Sequence, residues 1–198
     1  MSEERFADPG TTLSDLATHF VVHCPKCDGK ALVNPHNESF RLTCTNCFHV
    51  ETPGHWYGAM TAYASVKCRE CHHPLTRSAT VDGQWKKLKI KCEQCGDECE
   101  YEAHLSRHPK HNGLMTDPIF GLNLWLQKPI GDELFWSYNY DQLNLLEQYV
   151  RAKLRERGID NKGSKNSLMF SRLPTFITRA GNREEILKLI SELQVKTL

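Results

Sequence analysis

Apolar and polar residues alternate in short runs over the first half of the chain, and a helical rhythm appears only near its end. Val21-Val22, Ala31-Leu32-Val33 and Phe40 to Thr43 read as short strands. Trp85 to Lys91 alternates strictly, with Leu88 and Ile90 on one face and Trp85, Lys87, Lys89 and Lys91 on the other. Tyr101 and its neighbours form a further strand, and Asp82-Gly83 supplies a hairpin signal. Farther on, Leu122, Leu124 and Leu126 predict a strand, Lys128 to Asp132 a turn, and Leu134 to Tyr138 a second strand. Leu143, Leu146, Val150 and Leu154 recur at helical spacing, with Arg155 and Arg157 in the last turn and Gly158 as a stop. Pro174 opens a short helix. Asn182 is the expected N-cap of the last one, with Glu185 as its capping-box partner and Ile186, Leu189, Ile190 and Leu193 as its apolar stripe.

Cysteine usage changes this picture most. Eight of the nine cysteines form four Cys-x-x-Cys pairs: Cys24/Cys27, Cys44/Cys47, Cys68/Cys71 and Cys92/Cys95. Sixteen residues separate the first two pairs and twenty the last two, room for a two-stranded hairpin in each case. Two residues between cysteines let both thiolates turn to one point, and two such knuckles complete a tetrahedral four-thiolate site. The first half therefore reads as two small metal-stabilised β modules holding two structural Zn2+ ions. Iron in a four-thiolate site uses the same ligands. Spacing also admits a cross-braced pairing, since twenty residues separate Cys47 from Cys68 as well. A closed four-thiolate site has no vacant position for water or substrate, so its expected work is structural.

Disulfides are the rival for these thiols. The opening residues are polar and acidic, without the apolar core of a signal peptide, and no apolar run reaches the length of a membrane span. The expectation is a cytoplasmic metal protein with no membrane association.

Length and charge bound the rest. A chain of 198 residues accommodates the two modules and one medium domain. The expected division is a lead-in at 1–18, modules at 19–53 and 64–104, and a C-terminal α+β domain at 115–198, with Trp56-Tyr57-Gly58 connecting the modules. A net charge of +1 gives no global nucleic-acid signal. The basic strand carrying Trp85, Lys87, Lys89 and Lys91 is still a candidate surface for DNA or RNA. Its bland alternative is a solvated edge blunted by lysines.

The remaining candidates have structural explanations. Cys99 reads as a small residue on the strand leaving the last knuckle. His104, His108 and His111 read as surface histidines of a linker, although their spacing would suit a further metal site on a helix. The aromatic group Phe120, Trp125, Phe135, Trp136 and Tyr138 reads as core. No nucleophile elbow or phosphate-binding loop organises a catalytic centre.

The stretch His23-Cys24-Pro25-Lys26-Cys27-Asp28-Gly29-Lys30 resembles the opening knuckle of transcription-factor-type and ribosomal zinc ribbons, with Asp28 in place of their first glycine. The order continues with Trp56-Tyr57-Gly58, a second ribbon, Asp117 to Gln127, Trp136 to Asn139 and Arg183 to Leu187. As a whole it resembles uncharacterised bacterial tandem zinc-ribbon proteins with a C-terminal α+β domain. The resemblance implies two structural zincs on the eight paired cysteines and brings no activity, substrate or catalytic residue. The leading expectation is a non-enzymatic adaptor or regulatory protein that binds a protein partner. The alternatives are a nucleic-acid-binding protein using the second ribbon and, third, an enzyme with its site in the C-terminal domain.

Overall fold

The alternating segments form small antiparallel sheets, and the helical stripes gather near the C-terminus, in a computed structural model that describes residues 5–81, 87–109, 112–156 and 168–196. In chain order the elements are β1 (Arg5–Ala7), α1 (Leu13–Leu16), β2 (Phe20–His23), β3 (Lys30–His36), β4 (Ser39–Cys44), β5 (Val50–Glu51), β6 (Ala59–Lys67), β7 (Pro74–Val81), β8 (Lys87–Lys91), β9 (Glu98–Glu102), β10 (His104–His108), β11 (Gln127–Ile130), β12 (Glu133–Trp136), α2 (Tyr140–Arg151), β13 (Leu154–Glu156), α3 (Thr175–Thr178) and α4 (Arg183–Val195). They divide into two compact units, Met1–Thr52 with Asn123–Leu198, and Pro53–Leu122. Residues 19–53, read from the sequence as a module of their own, thus share nearly their whole length with the unit that holds the C-terminal helices.

In the first unit β2, β3, β4 and β5 pair in sequence as an antiparallel sheet. Asn37, at φ 52°, makes the tight turn from β3 to β4. Val21 of β2 enters the same apolar core as Leu126, Phe135, Leu143, Leu146, Ile186 and Ile190. That core lies against α2 and α4, whose stripes bury Leu143, Leu146 and Val150 from one helix and Ile186, Leu189, Ile190 and Leu193 from the other. The lead-in is ordered where described. Phe6 is buried between Tyr149 and Phe170, and Thr12 and Asp15 close a capping box on α1.

Several elements differ from the sequence pattern. Residues 122–126 do not form a strand of a sheet; Leu124 makes an isolated bridge to Val22, and Trp125 is buried along with its leucine neighbours. Burial on both sides removes the polar face that alternation presumes. The hairpin is instead β11 with β12, turning at Gly131-Asp132. Helix α2 stops at Arg151 because Ala152 is extended, at φ −66° and ψ 134°. Leu154 and Arg155 then lie on β13, which runs parallel to β1. Arg155 turns back to donate through Nε to the Tyr149 carbonyl. Asn182 precedes α4, but its amide donates to the Phe176 carbonyl and makes no side-chain cap. Asp82, Gly83, Arg157 and Gly158 lie outside the described residues.

Asn139 ties helix to sheet. Its Oδ1 accepts the Gln142 N–H as the cap of α2, and its Nδ2 donates to the carbonyls of Leu16 and His19 at 2.7 and 3.0 Å. The side chain is fully buried, so nothing replaces these bonds if it is removed. Asn139→Ala is expected to cost about 2–4 kcal/mol, one cap plus buried carbonyls left unpaired, read as a lowered denaturant midpoint.

In the second unit β6 runs between β10 and β7, and β8 pairs with β9. Met60, Ala62 and Ala64 point inward from β6 and meet Leu75, Val81, Leu88, Ile90 and Tyr101. Two ligand candidates, Cys68 and Cys92, belong to the same core. Trp56, the expected connector, packs against it and donates to the Ala59 carbonyl.

Candidate metal centres

Each knuckle is a tight backbone loop closed on itself. The N–H of its first cysteine donates to the carbonyl five residues on: Cys24 to Gly29, Cys44 to His49, Cys68 to His73 and Cys92 to Asp97, at 2.7–2.8 Å. This loop requires a left-handed residue directly after the second cysteine. Asp28, Phe48, His72 and Gly96 occupy those four positions, with φ 58°, 59°, 59° and 81°. Only one of the four is glycine. Phe48 is 79% exposed, so its ring gains little burial for holding this conformation. Phe48→Gly should raise stability by up to about 1 kcal/mol, the left-handed cost of about 1–2 kcal/mol less the glycine entropy penalty, seen as a higher denaturant midpoint.

The strands bring the knuckles together in sequential pairs. Register pairs Ala31 of β3 with Cys44 of β4, so the second knuckle returns beside the first. Cys24, Cys27, Cys44 and Cys47 form one cluster, and Cys68, Cys71, Cys92 and Cys95 the other, with the sulfurs of each within 4.8 Å of one another. This is the sequential arrangement, not the cross-brace. The closest approaches are 3.7 Å for Cys24–Cys47, 3.5 Å for Cys27–Cys44, 3.5 Å for Cys68–Cys95 and 3.6 Å for Cys71–Cys92. A disulfide holds its sulfurs about 2.05 Å apart, and all nine cysteines are free thiols here. Four sulfurs about 2.3 Å from a central ion lie about 3.8 Å apart in a tetrahedron, so the donor set fits a metal ion.

Hydrogen bonds prepare the sulfurs for negative charge. Cys44 Sγ accepts from the N–H groups of Asn46 and Cys47, Cys24 Sγ from that of Lys26, and Cys27 Sγ from the Asn46 side chain. Burial opposes ionisation of Cys44, but the Cys47 and Asn46 N–H groups and the Cys27 and Cys47 thiols pull it down to about 6. Burial also opposes ionisation of Cys92, and the N–H groups of Cys95 and Gln94 with the Cys71 and Cys95 thiols lower it to about 7. The His49 N–H favours the Cys47 thiolate, yet burial and the three other thiols push it up to about 12. Cys95 is pushed up to about 12 in the same way, against the Asp97 N–H. In each cluster the backbone N–H groups thus favour a thiolate. A bound ion would draw the remaining protons off.

The other candidates lie apart from these clusters. Cys99 is half-buried on β9 and donates to Asp97 Oδ2 at 3.3 Å. His104 and His108 lie on strand β10, paired with β6, rather than in a linker or helix. They join no group of potential metal ligands among the described residues. His111 and Trp85 are outside the described residues. Lys87, Lys89 and Lys91 are exposed on β8 as expected, but register sets Glu102, Glu100 and Glu98 opposite them on β9. Lys89 also pairs diagonally with Glu98 at 2.9 Å. Phe120, Trp125 and Phe135 are buried, and Trp136 and Tyr138 are half-buried.

Sequence reasoning overlooked β6, although Met60, Ala62 and Ala64 alternate with Thr61, Tyr63 and Ser65 and could have revealed it. It also passed over Gln142, which lines a cavity in the first unit.

The molecule is thus defined as a protein of small β-sheets bearing two tetracysteine centres, with a C-terminal helical region. Compared with protein-family models, curated proteins and solved structures, the chain finds no match. Among the described residues no helix is long and apolar enough to cross a membrane.

Proposed function

We propose that each tetracysteine centre is a zinc-ribbon site holding one structural Zn2+, and that the chain is a cytoplasmic, non-enzymatic adaptor that docks a protein partner. The carrying observation is the closed donor set: four sulfurs within 4.8 Å in each centre. Four thiolates saturate a tetrahedral ion, which then has no position at which to activate water or polarise a substrate. Such an ion replaces apolar core that a short β module is too small to build.

The surface supports a protein partner over DNA or RNA. The lysines of β8 face glutamates of β9 pair by pair, so this face has little net pull on phosphates. The first module instead presents apolar side chains, Phe48 at 79% exposure and Val50 at 43%. An exposed ring held in a left-handed backbone suits insertion into a partner's pocket.

Elemental analysis of the native protein should give two zincs per chain. Affinity capture from its own cells should yield a protein partner that survives nuclease and is lost on Phe48→Asp. Absence of stoichiometric metal defeats the zinc assignment. A nuclease-sensitive complex, lost instead when Lys87, Lys89 and Lys91 become glutamate, transfers the role to nucleic acid.

A further inference from the structure

Two arginines at the C-terminal end of α2 carry donors that the fold leaves unused. Arg155, on β13, lies over the Tyr149 ring at 4.3 Å. It donates through Nε to the Tyr149 carbonyl and through Nη1 to the Thr178 carbonyl, at 3.0 and 3.1 Å. Arg183, the first residue of α4, donates through Nη2 to the Ala152 carbonyl at 3.2 Å. Both guanidinium groups thus grip the last turn of one helix. Arg155 Nη2 and Arg183 Nε are left over, each buried and without a hydrogen-bond partner among the described residues. A guanidinium keeps its charge at any pH the protein survives, so these donors are not silenced by losing a proton. Neither arginine makes an ion pair among the described residues, and Glu184 and Glu185, next along α4, are exposed. The helix end offers both cations carbonyl dipoles but no full negative charge. Unmet buried N–H groups on two neighbouring cations call for an acceptor that the chain does not supply, and a bound anion is one. The same corner has room for it. A cavity of about 330 Å³ is lined by Arg5, Phe6, Ala7, Gln148 and Ala152. Arg155 is the register partner of Phe6 in the parallel pairing of β13 with β1, and Arg183 holds the Ala152 carbonyl, so both arginines flank that wall.

We propose that this corner binds a phosphate group, its oxygens bridging Arg155 Nη2 and Arg183 Nε beside the cavity. Reaching them takes a small displacement of two half-buried side chains, which exchange packing for a counter-ion. Two fixed cations match two negative charges, and a phosphate or phosphomonoester is close to a dianion at neutral pH. A carboxylate is a monoanion and leaves one cation unmatched. Guanidinium forks also match phosphate oxygens in geometry. The N-terminus of α4, which Asn182 leaves without a side-chain cap, adds its positive end to the same corner. This site is separate from the zinc and adaptor assignment and stands or falls without it.

The test uses the full chain with its native metal content and inorganic phosphate as the probe, followed by calorimetry. Phosphate should bind saturably at one site per chain, and acetate at least about tenfold more weakly. Glycerol phosphate, run in parallel, separates the sources: tighter binding than inorganic phosphate makes a small phosphomonoester the ligand, and weaker binding makes it free phosphate. Arg155→Lys and Arg183→Lys keep the positive charges at the helix end but remove the forks. Each should weaken phosphate by about tenfold or more while leaving the circular dichroism unchanged. Amide exchange on the unaltered chain is a second route that needs no variant: phosphate should raise protection at 152–156 and 183–186 and leave β6 and β7 as they were. The proposal is overturned by no saturable binding at millimolar phosphate, by equal binding of acetate, by full binding when both arginines are lysine, or by protection confined to other segments.

Discussion

Cys92→Ser is expected to unfold residues 53–122, the largest effect of any single substitution in the chain. The apolar cluster around that centre has ten buried members, two of them the ligand candidates Cys68 and Cys92 and two of them alanines. So little apolar volume gives a modest driving force on its own. A structural zinc contributes about 10–16 kcal/mol, comparable to or above the whole stability of a typical domain. Removing one thiolate opens the coordination shell and leaves a hydroxyl against the core. The matched substitution at the first centre, Cys44→Ser, should behave differently. One apolar cluster of the first unit has sixteen buried residues, half of them on β12, α2 and α4, and Cys24 and Cys44, although buried, are not part of it. Cys44→Ser should therefore loosen β3 to β5 while α2 and α4 persist. Amide exchange read by mass spectrometry separates the cases: Cys92→Ser should strip protection from β6 and β7, and Cys44→Ser should strip it from β3 to β5 but not from α2 and α4. Protection of β6 and β7 that survives Cys92→Ser would show that the second centre does not hold its module together.

The contrast between the two centres was only half legible in the sequence. Ligand identity is a local property, since two residues between cysteines fix a knuckle whatever surrounds it, and all eight thiols appear where spacing placed them. Which knuckles join depends on strand register, and the pairing of Ala31 with Cys44 is a contact that no spacing rule supplies. Register also decides the meaning of the basic strand. Lys87, Lys89 and Lys91 look like a phosphate-binding face until Glu102, Glu100 and Glu98 are set opposite them. Around 122–136 the pattern misled for a different reason. Trp125 and the leucines beside it are all buried, so the period of two carries no information about which residues pair. The end of α2 was missed because Leu154 continues the helical spacing by coincidence, while the backbone turns extended at Ala152 to run beside β1. The cavity beside Gln142 depends on residues from 12 to 177 meeting in space, and a window of sequence contains no trace of that.

Gly121→Ala is the second substitution expected to have a large effect, through sterics rather than metal. The chain from Asp117 to Leu122 folds around one buried carboxylate: Asp117 Oδ1 accepts from Ile119 and Phe120, and Oδ2 from Leu122. Burial pushes this carboxyl above its ordinary range despite those three donors. Within the loop Gly121 adopts φ +72° and donates to the Asp117 carbonyl. A methyl group there would stand 2.7 Å from the Gly58 nitrogen and 2.8 Å from the Trp56 ring. Neither neighbour can give way. Gly58 is itself wedged, since a Cβ on it would meet the His108 carbonyl at 2.5 Å and the indole at 2.6 Å. Tyr57 is tied to the Phe120 carbonyl at 2.7 Å. The left-handed backbone costs about 1–2 kcal/mol for alanine and the overlap about 1–3 kcal/mol more, so the second unit should lose about 2–5 kcal/mol. Gly181→Ala is the control: it has no neighbouring atom within 4 Å of the new methyl and no positive φ, and should change stability by no more than about 0.5 kcal/mol. Denaturant titrations monitored by amide exchange in β6 and β10 distinguish the two. An unchanged midpoint for Gly121→Ala would mean that the loop can lift off Gly58 and Trp56, and that the close stacking of two glycines on an indole is not what fixes this end of the unit.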